Sequence, residues 1–109
     1  MMFNIEFFNL RDYLKSQREW SLKTFGPGEL NQGISDHIKR ELREIKNDPG
    51  DWKEWIDLLI LAFDGALRKG VSPDQIIEAL FEKQIINCER KWPDWKTVNR
   101  GKAIEHIRK

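Results

Sequence analysis

Cysteine is almost missing: Cys88 stands alone among 109 residues, so no internal disulfide can form and no cysteine-based zinc site can be built. A reducing compartment suits that usage. Long apolar runs are also lacking. No stretch reaches the roughly 20 residues that span a bilayer, and the start MMFNIEFFNLRDYLK has no basic head followed by an apolar segment. An excess of one charge is absent too. Nineteen Lys and Arg face eighteen Asp and Glu, with the basic residues dispersed, so no general affinity for nucleic acid and no membrane partner is expected. Gly26-Pro27-Gly28 is too short for a phosphate loop and carries no lysine. Strict apolar and polar alternation, internal repeats and low-complexity linkers are all missing, which removes half-buried strands from the expected fold. What remains is a cytoplasmic all-α chain with a single domain over 1–109, its 39% apolar content and five Trp enough for one core.

Four helices are legible. The first runs from about Asn9 toward Trp20 and closes near Gly26-Pro27-Gly28, with Leu10, Tyr13, Leu14 and Gln17 at helical spacing. The second begins near Ser35 or Asp36, carries Ile38, Leu42 and Ile45 on its apolar side, and stops at Asp48-Pro49-Gly50. Asp51 caps a third that continues to about Lys69, where Arg68 and Lys69 suit the negative end of the dipole and Gly70 the position after it. Ser72, Pro73 and Gln75 form a capping box that opens the fourth, which extends to about Arg90 before Trp92-Pro93. A short last turn of helix is expected over Ala103 to Arg108.

Two acidic pairs stand out: Glu41 with Glu44, and Glu54 with Asp57. Each is spaced i,i+3, which brings the Cβ atoms to roughly 5–6 Å on one helix face. The third helix is apolar around most of its circumference, so it is expected to be largely buried, with Glu54, Asp57 and Asp64 in one stripe. Crowded carboxylates with few routes to water need a compensating cation, and a divalent metal is the simplest one. The short link between the second and third helices favours an antiparallel hairpin that faces the pairs toward each other. One ExxE alone is more often a solvated face, and Glu54 has a rival role in completing a capping box with Asp51. Lys83, Asn87 and Arg90, spaced i, i+4, i+7, share a face suited to phosphate, although such a strip is ordinarily just exposed surface. His37 reads as a partly exposed, hydrogen-bonded histidine, Cys88 as a small packing residue, and Trp52, Trp55, Trp92 and Trp95 as core or interface anchors.

Glu41-Leu42-Arg43-Glu44 followed by Glu54-Trp55-Ile56-Asp57 resembles the ExxE…ExxD signature of the MazG-like all-α nucleotide pyrophosphohydrolases, which include the dimeric dUTPases. WSLKTFGPG, HIKRELREI, EWIDLLILAFDGALRKG, KQIINCERKWPDW and AIEHIR resemble, more narrowly, the phage and bacterial dATP/dGTP diphosphohydrolase N-terminal domain. The resemblance implies a four- to five-helix bundle completed by oligomerisation as a dimer or tetramer, in a bacterial or phage-infected host cytoplasm. It implies Mg²⁺, with Mn²⁺ as the alternative ion, held by Glu41, Glu44, Glu54 and Asp57. Lys83, Asn87 and Arg90 would contact the triphosphate of a nucleoside triphosphate substrate, and Asp64, which matches a further position in the group, would join them as a substrate-binding residue. Cleavage between the α and β phosphates, with purine deoxynucleotides preferred, is the implied reaction. Glu41, at the edge of its helix's apolar face, is the expected general base. Trp20, Thr24 and Phe25 would wall the base, and AIEHIR would close over the site. Two rivals stand beside this reading: a non-catalytic helical phage protein that binds a host partner, and a same-fold enzyme acting on a pyrimidine nucleotide or on phosphoribosyl-ATP.

Overall fold

The structure, a computed structural model, describes residues 5–108. It is all-α, with no strand among the described residues. Four helices follow in order: α1 Leu10–Phe25, α2 Asn31–Asn47, α3 Lys53–Leu67 and α4 Pro73–Glu89. Single 3-10 turns lie at Ile5–Phe7 and Trp95–Thr97. The described chain divides into two compact units, which part between Ile77 and Glu78.

In the first unit several helix boundaries have a local cause. Asn9, in an extended conformation, accepts from the Asp12 amide at 2.9 Å and opens α1. At the other end Gly26, with φ of 82°, donates its amide to the Leu22 carbonyl. Gly70 also adopts positive φ and bonds back to Leu67, as expected of the residue that ends α3. The capping box before α4 is reciprocal: the Ser72 amide donates to Gln75 Oε1 at 2.8 Å, and the Gln75 amide to Ser72 Oγ at 3.1 Å. Replacing Ser72 with Ala is expected to lower unfolding free energy by about 1 kcal/mol. A shifted urea midpoint with unchanged slope would show it.

α2 starts a turn before Ser35. Leu30 sits at its N-cap in the left-handed region with no side-chain bond, and the Ile34 amide donates to the Leu30 carbonyl at 3.0 Å. The early start extends the stripe of Ile38, Leu42 and Ile45 back to Ile34, whose Cγ2 lies 3.8 Å from where a Cβ on Gly65 would be. α2 and α1 both pack on α3.

The buried apolar core is small: Leu14, Leu67 and Ile76, flanked by Leu10, Tyr13, Phe63, Ala66, Val71 and Ile77. α3 is not largely buried in the single chain, contrary to its composition. Asp64 and Leu67 are its buried residues, while Trp55, Ile56, Leu59 and Ile60 are exposed. Apolar periodicity reports how much of a helix avoids water, not which chain covers it.

In the second unit Cys88 is exposed rather than packed. Trp92 donates its indole N–H to the Asn87 carbonyl at 2.8 Å and meets His106 edge-on at 5.8 Å. The segment over Ala103 to Ile107 is not helical. Its Ile107 amide instead donates to the Lys91 carbonyl at 2.7 Å, and a backbone donor satisfied this way has no need of a helical partner. Among the described residues no helix is long and apolar enough to cross a membrane.

Candidate metal centre and adjoining cavity

The short connection from Asp48 to Trp52 folds α3 back along α2, and three acids meet across the two helices. Glu41 and Glu44 from α2 and Glu54 from α3 each offer an oxygen, all within 4.8 Å of one another. Glu41 and Glu54 are half-buried and Glu44 is exposed. Asp51 accepts from the Lys53 amide at 3.2 Å rather than joining a capping box with Glu54, whose amide donates to the Asp51 carbonyl. The Glu54 side chain is therefore free to face α2.

Oε2 of Glu41 and Oε2 of Glu54 are both shut off from solvent without a hydrogen-bond partner. Two such oxygens side by side are costly unless a proton or a cation lies between them. Hydrogen bonding to Glu41, then to Glu44, with desolvation and the repulsion of both neighbours, pushes the Glu54 pKa up to about 7 from 4.5. Oxygen donors, clustered negative charge and partnerless buried atoms fit a hard divalent ion such as Mg²⁺. Asp57, one turn further along α3, is exposed. It lies outside this three-glutamate group and in the wall of an adjoining cavity.

That open cavity, of about 510 Å³, is lined by residues of α1, α2 and α3 and by Leu30 before α2. Trp20 and Phe25 form an aromatic wall, their rings edge to face at 5.5 Å, while Ile34, Ile60 and Leu61 supply aliphatic surface. His37, Glu41 and Asp57 line it as well. Glu41 thus belongs to both the acidic group and the cavity. Thr24 does not line it. The floor carries polar groups that are already engaged: buried Gln17 donates to the Ile60 carbonyl at 2.9 Å and accepts from Tyr13 Oη at 2.6 Å.

Asp64 is also held. It accepts from Ser21 Oγ at 2.7 Å and pairs with Arg68 at 3.2 Å, with little of either charged side chain exposed. Sequence reasoning treated Arg68 only as a cation at a helix end. Its i,i+4 spacing from an acid inside an apolar helix was the available signal. Lys83, Asn87 and Arg90 lie in the second unit and are all exposed, with Arg90 Nη1 3.5 Å from Asn87 Oδ1. Spacing placed them on a common face and nothing more.

Comparison with known proteins follows the same lines. The profile of the dATP/dGTP pyrophosphohydrolase family matches residues 13–109. The chain is 40% identical over 94 residues to the Eaa protein of Salmonella phage P22, an alignment that covers 86% of this chain and 28% of the phage protein. The chain thus spans under a third of that relative's length. No solved structure matches. With α2 to α4, most of α1 and both acidic pairs inside the matched segment, the chain belongs to the dATP/dGTP pyrophosphohydrolase family.

Proposed function

We propose that the protein hydrolyses a (deoxy)nucleoside triphosphate to the monophosphate and pyrophosphate in the presence of Mg²⁺, with dATP or dGTP as the favoured substrate. The partnerless buried oxygens of Glu41 and Glu54, beside a cavity of nucleoside size, carry this reading. Glu41, Glu44 and Glu54 would hold the ion, with Asp57 as the fourth ligand. Bound there, the ion would supply charge neutralisation at the phosphates and acidify water. The chain's own residues do the rest. The apolar wall of Trp20, Phe25 and Ile34 takes the base and excludes water from it. Glu41, which faces both the acids and the cavity, accepts the proton of the attacking water. Lys83, Asn87 and Arg90 keep the role the resemblance implies, contact with the triphosphate, where fixed positive charge favours the leaving pyrophosphate.

The exposed apolar face of α3, with Trp55, Ile56 and Leu59, supports pairing with further copies of the chain as a dimer or tetramer. That same face, together with the likeness to a phage protein of far greater length, supports a second reading more directly than the first: a non-catalytic helical module that binds another protein. Turnover separates them. Incubation with Mg²⁺ and a panel of purine and pyrimidine triphosphates and phosphoribosyl-ATP is expected to give monophosphate with pyrophosphate for a purine deoxynucleotide. Diphosphate with phosphate would point to another reaction, a pyrimidine preference to the same-fold alternative. No turnover, with tight association to a protein partner, would establish the binding module.

A further inference from the structure

Arg68 has a side chain only 2% exposed, and its guanidinium is shared among three stretches of chain. Nε faces both oxygens of Asp64 at 3.2 Å. Nη1 donates to the carbonyls of Gly26 at 2.8 Å and Gly28 at 2.9 Å. Nη2 donates to Ser21 at its carbonyl, 3.2 Å, and at its hydroxyl, 2.8 Å. The turn that presents those carbonyls depends on glycine, since Gly26 and Gly28 have φ of 82° and 104°. Two of these anchors adjoin the rings of the cavity wall. Ser21 follows Trp20, and Gly26 follows Phe25. The rings themselves are about half exposed, at 48% and 54%, so side-chain packing alone does not fix them. Arg68 does not line the large cavity and cannot touch a ligand there.

The geometry points to Arg68 as the positioning residue of the cavity's aromatic wall: through Ser21, Gly26 and Gly28 it sets where Trp20 and Phe25 stand, and so how tightly the nucleoside portion is held. A fork of rigid donors is required, because a lysine ammonium has three donors on a flexible stem and cannot span acceptors on both α1 and the glycine turn. The inference rests on the nucleotide reading for its ligand but not for the wall.

Arg68→Lys keeps a charge for Asp64 while losing the fork. It is expected to raise KM for dATP about tenfold or more, with kcat within about threefold of the parent, since misplacement weakens binding but leaves the acids untouched. In protein labelled with 5-fluorotryptophan, the ligand-free ¹⁹F line of Trp20, assigned with Trp20→Phe, is expected to shift or broaden. Because Ser21 itself lines the cavity, Ser21→Ala, which leaves the Asp64–Arg68 pair in place, offers only the ligand-free Trp20 line as a readout should Arg68→Lys not fold. An unchanged KM and an unchanged Trp20 line in the folded variant would overturn the inference, as would a fall in kcat at constant KM. Should the parent turn over no nucleotide, the proposed activity falls. The ligand-free Trp20 line then decides the wall by itself: a shift supports the role of Arg68 and an unchanged line removes it.

Discussion

Glu54→Gln is expected to reduce pyrophosphate release by at least about 10³-fold, with helical circular dichroism unchanged. The substitution keeps the shape of the side chain and removes one negative oxygen from a group whose ligand atoms lie within 4.8 Å of one another. A cation held by the three carboxylates would lose both a ligand and a unit of charge attraction, and Glu41, which also lines the cavity, would lose the charge that favours acidifying water there. Unfolding is a poor rival explanation. Without metal the Glu54 carboxylate is the unfavourable member of the group, so a neutral amide in its place relieves repulsion from Glu41 and Glu44. The variant should therefore melt no lower than the parent at pH 8 in the absence of Mg²⁺. Activity within a few-fold of the parent would remove Glu54 from the metal centre.

The second large effect is on pH dependence. In the metal-free protein the Glu54 pKa stands near 7, against 4.5 for an unperturbed glutamate. Between those values the folded chain holds a proton that the unfolded chain has released, so stability declines as pH rises through that window. The contribution is whole below about pH 4.5 and lost above about pH 7. Mg²⁺ is expected to reverse the trend, because a cation bound there would stabilise the ionised group and favour the folded state by mass action, by about 2.7 kcal/mol when its concentration is 100 times the Kd. Melting temperatures recorded from pH 5 to pH 8 with EDTA should fall relative to those of Glu54→Gln. With saturating Mg²⁺ the fall should vanish. Calorimetry in buffers of different ionisation enthalpy should show about one proton released per ion bound at pH 6 and close to none at pH 8. Parallel profiles for parent and variant in EDTA would show that Glu54 is not crowded by its neighbours.

The meeting of Glu41, Glu44 and Glu54 was legible, without Asp57, because its cause is local. Spacing of three residues fixes a helix face, and a five-residue link leaves α2 and α3 few options but to fold back. The same applies to Ser72 with Gln75 and to Gly70, where one turn of chain contains the whole cause. What failed depended on partners far along the sequence. The start of α2 carries no capping side chain, and its early turn brings Ile34 beside Gly65, so a serine or aspartate N-cap does not mark it. The burial of α3 was misread because Trp55, Ile56 and Leu59 look like core whether or not this chain supplies their cover. The Ala103 to Arg108 tail is not helical because the Ile107 amide bonds to the distant Lys91 carbonyl, which leaves no trace in periodicity. Arg68 escaped notice for a related reason. A lone arginine at a helix end is ordinary until Gly26 and Gly28 are seen to turn their carbonyls toward it.

Titration of the protein with Mg²⁺ by isothermal calorimetry at pH 7.5, set beside the same titration of the Glu41→Gln, Glu54→Gln double variant, bears most directly on the acidic cluster as a cation site. A saturable heat in the parent that disappears in a folded double variant is the predicted result. Equal binding by the two proteins, or none by the parent at millimolar Mg²⁺, would contradict it.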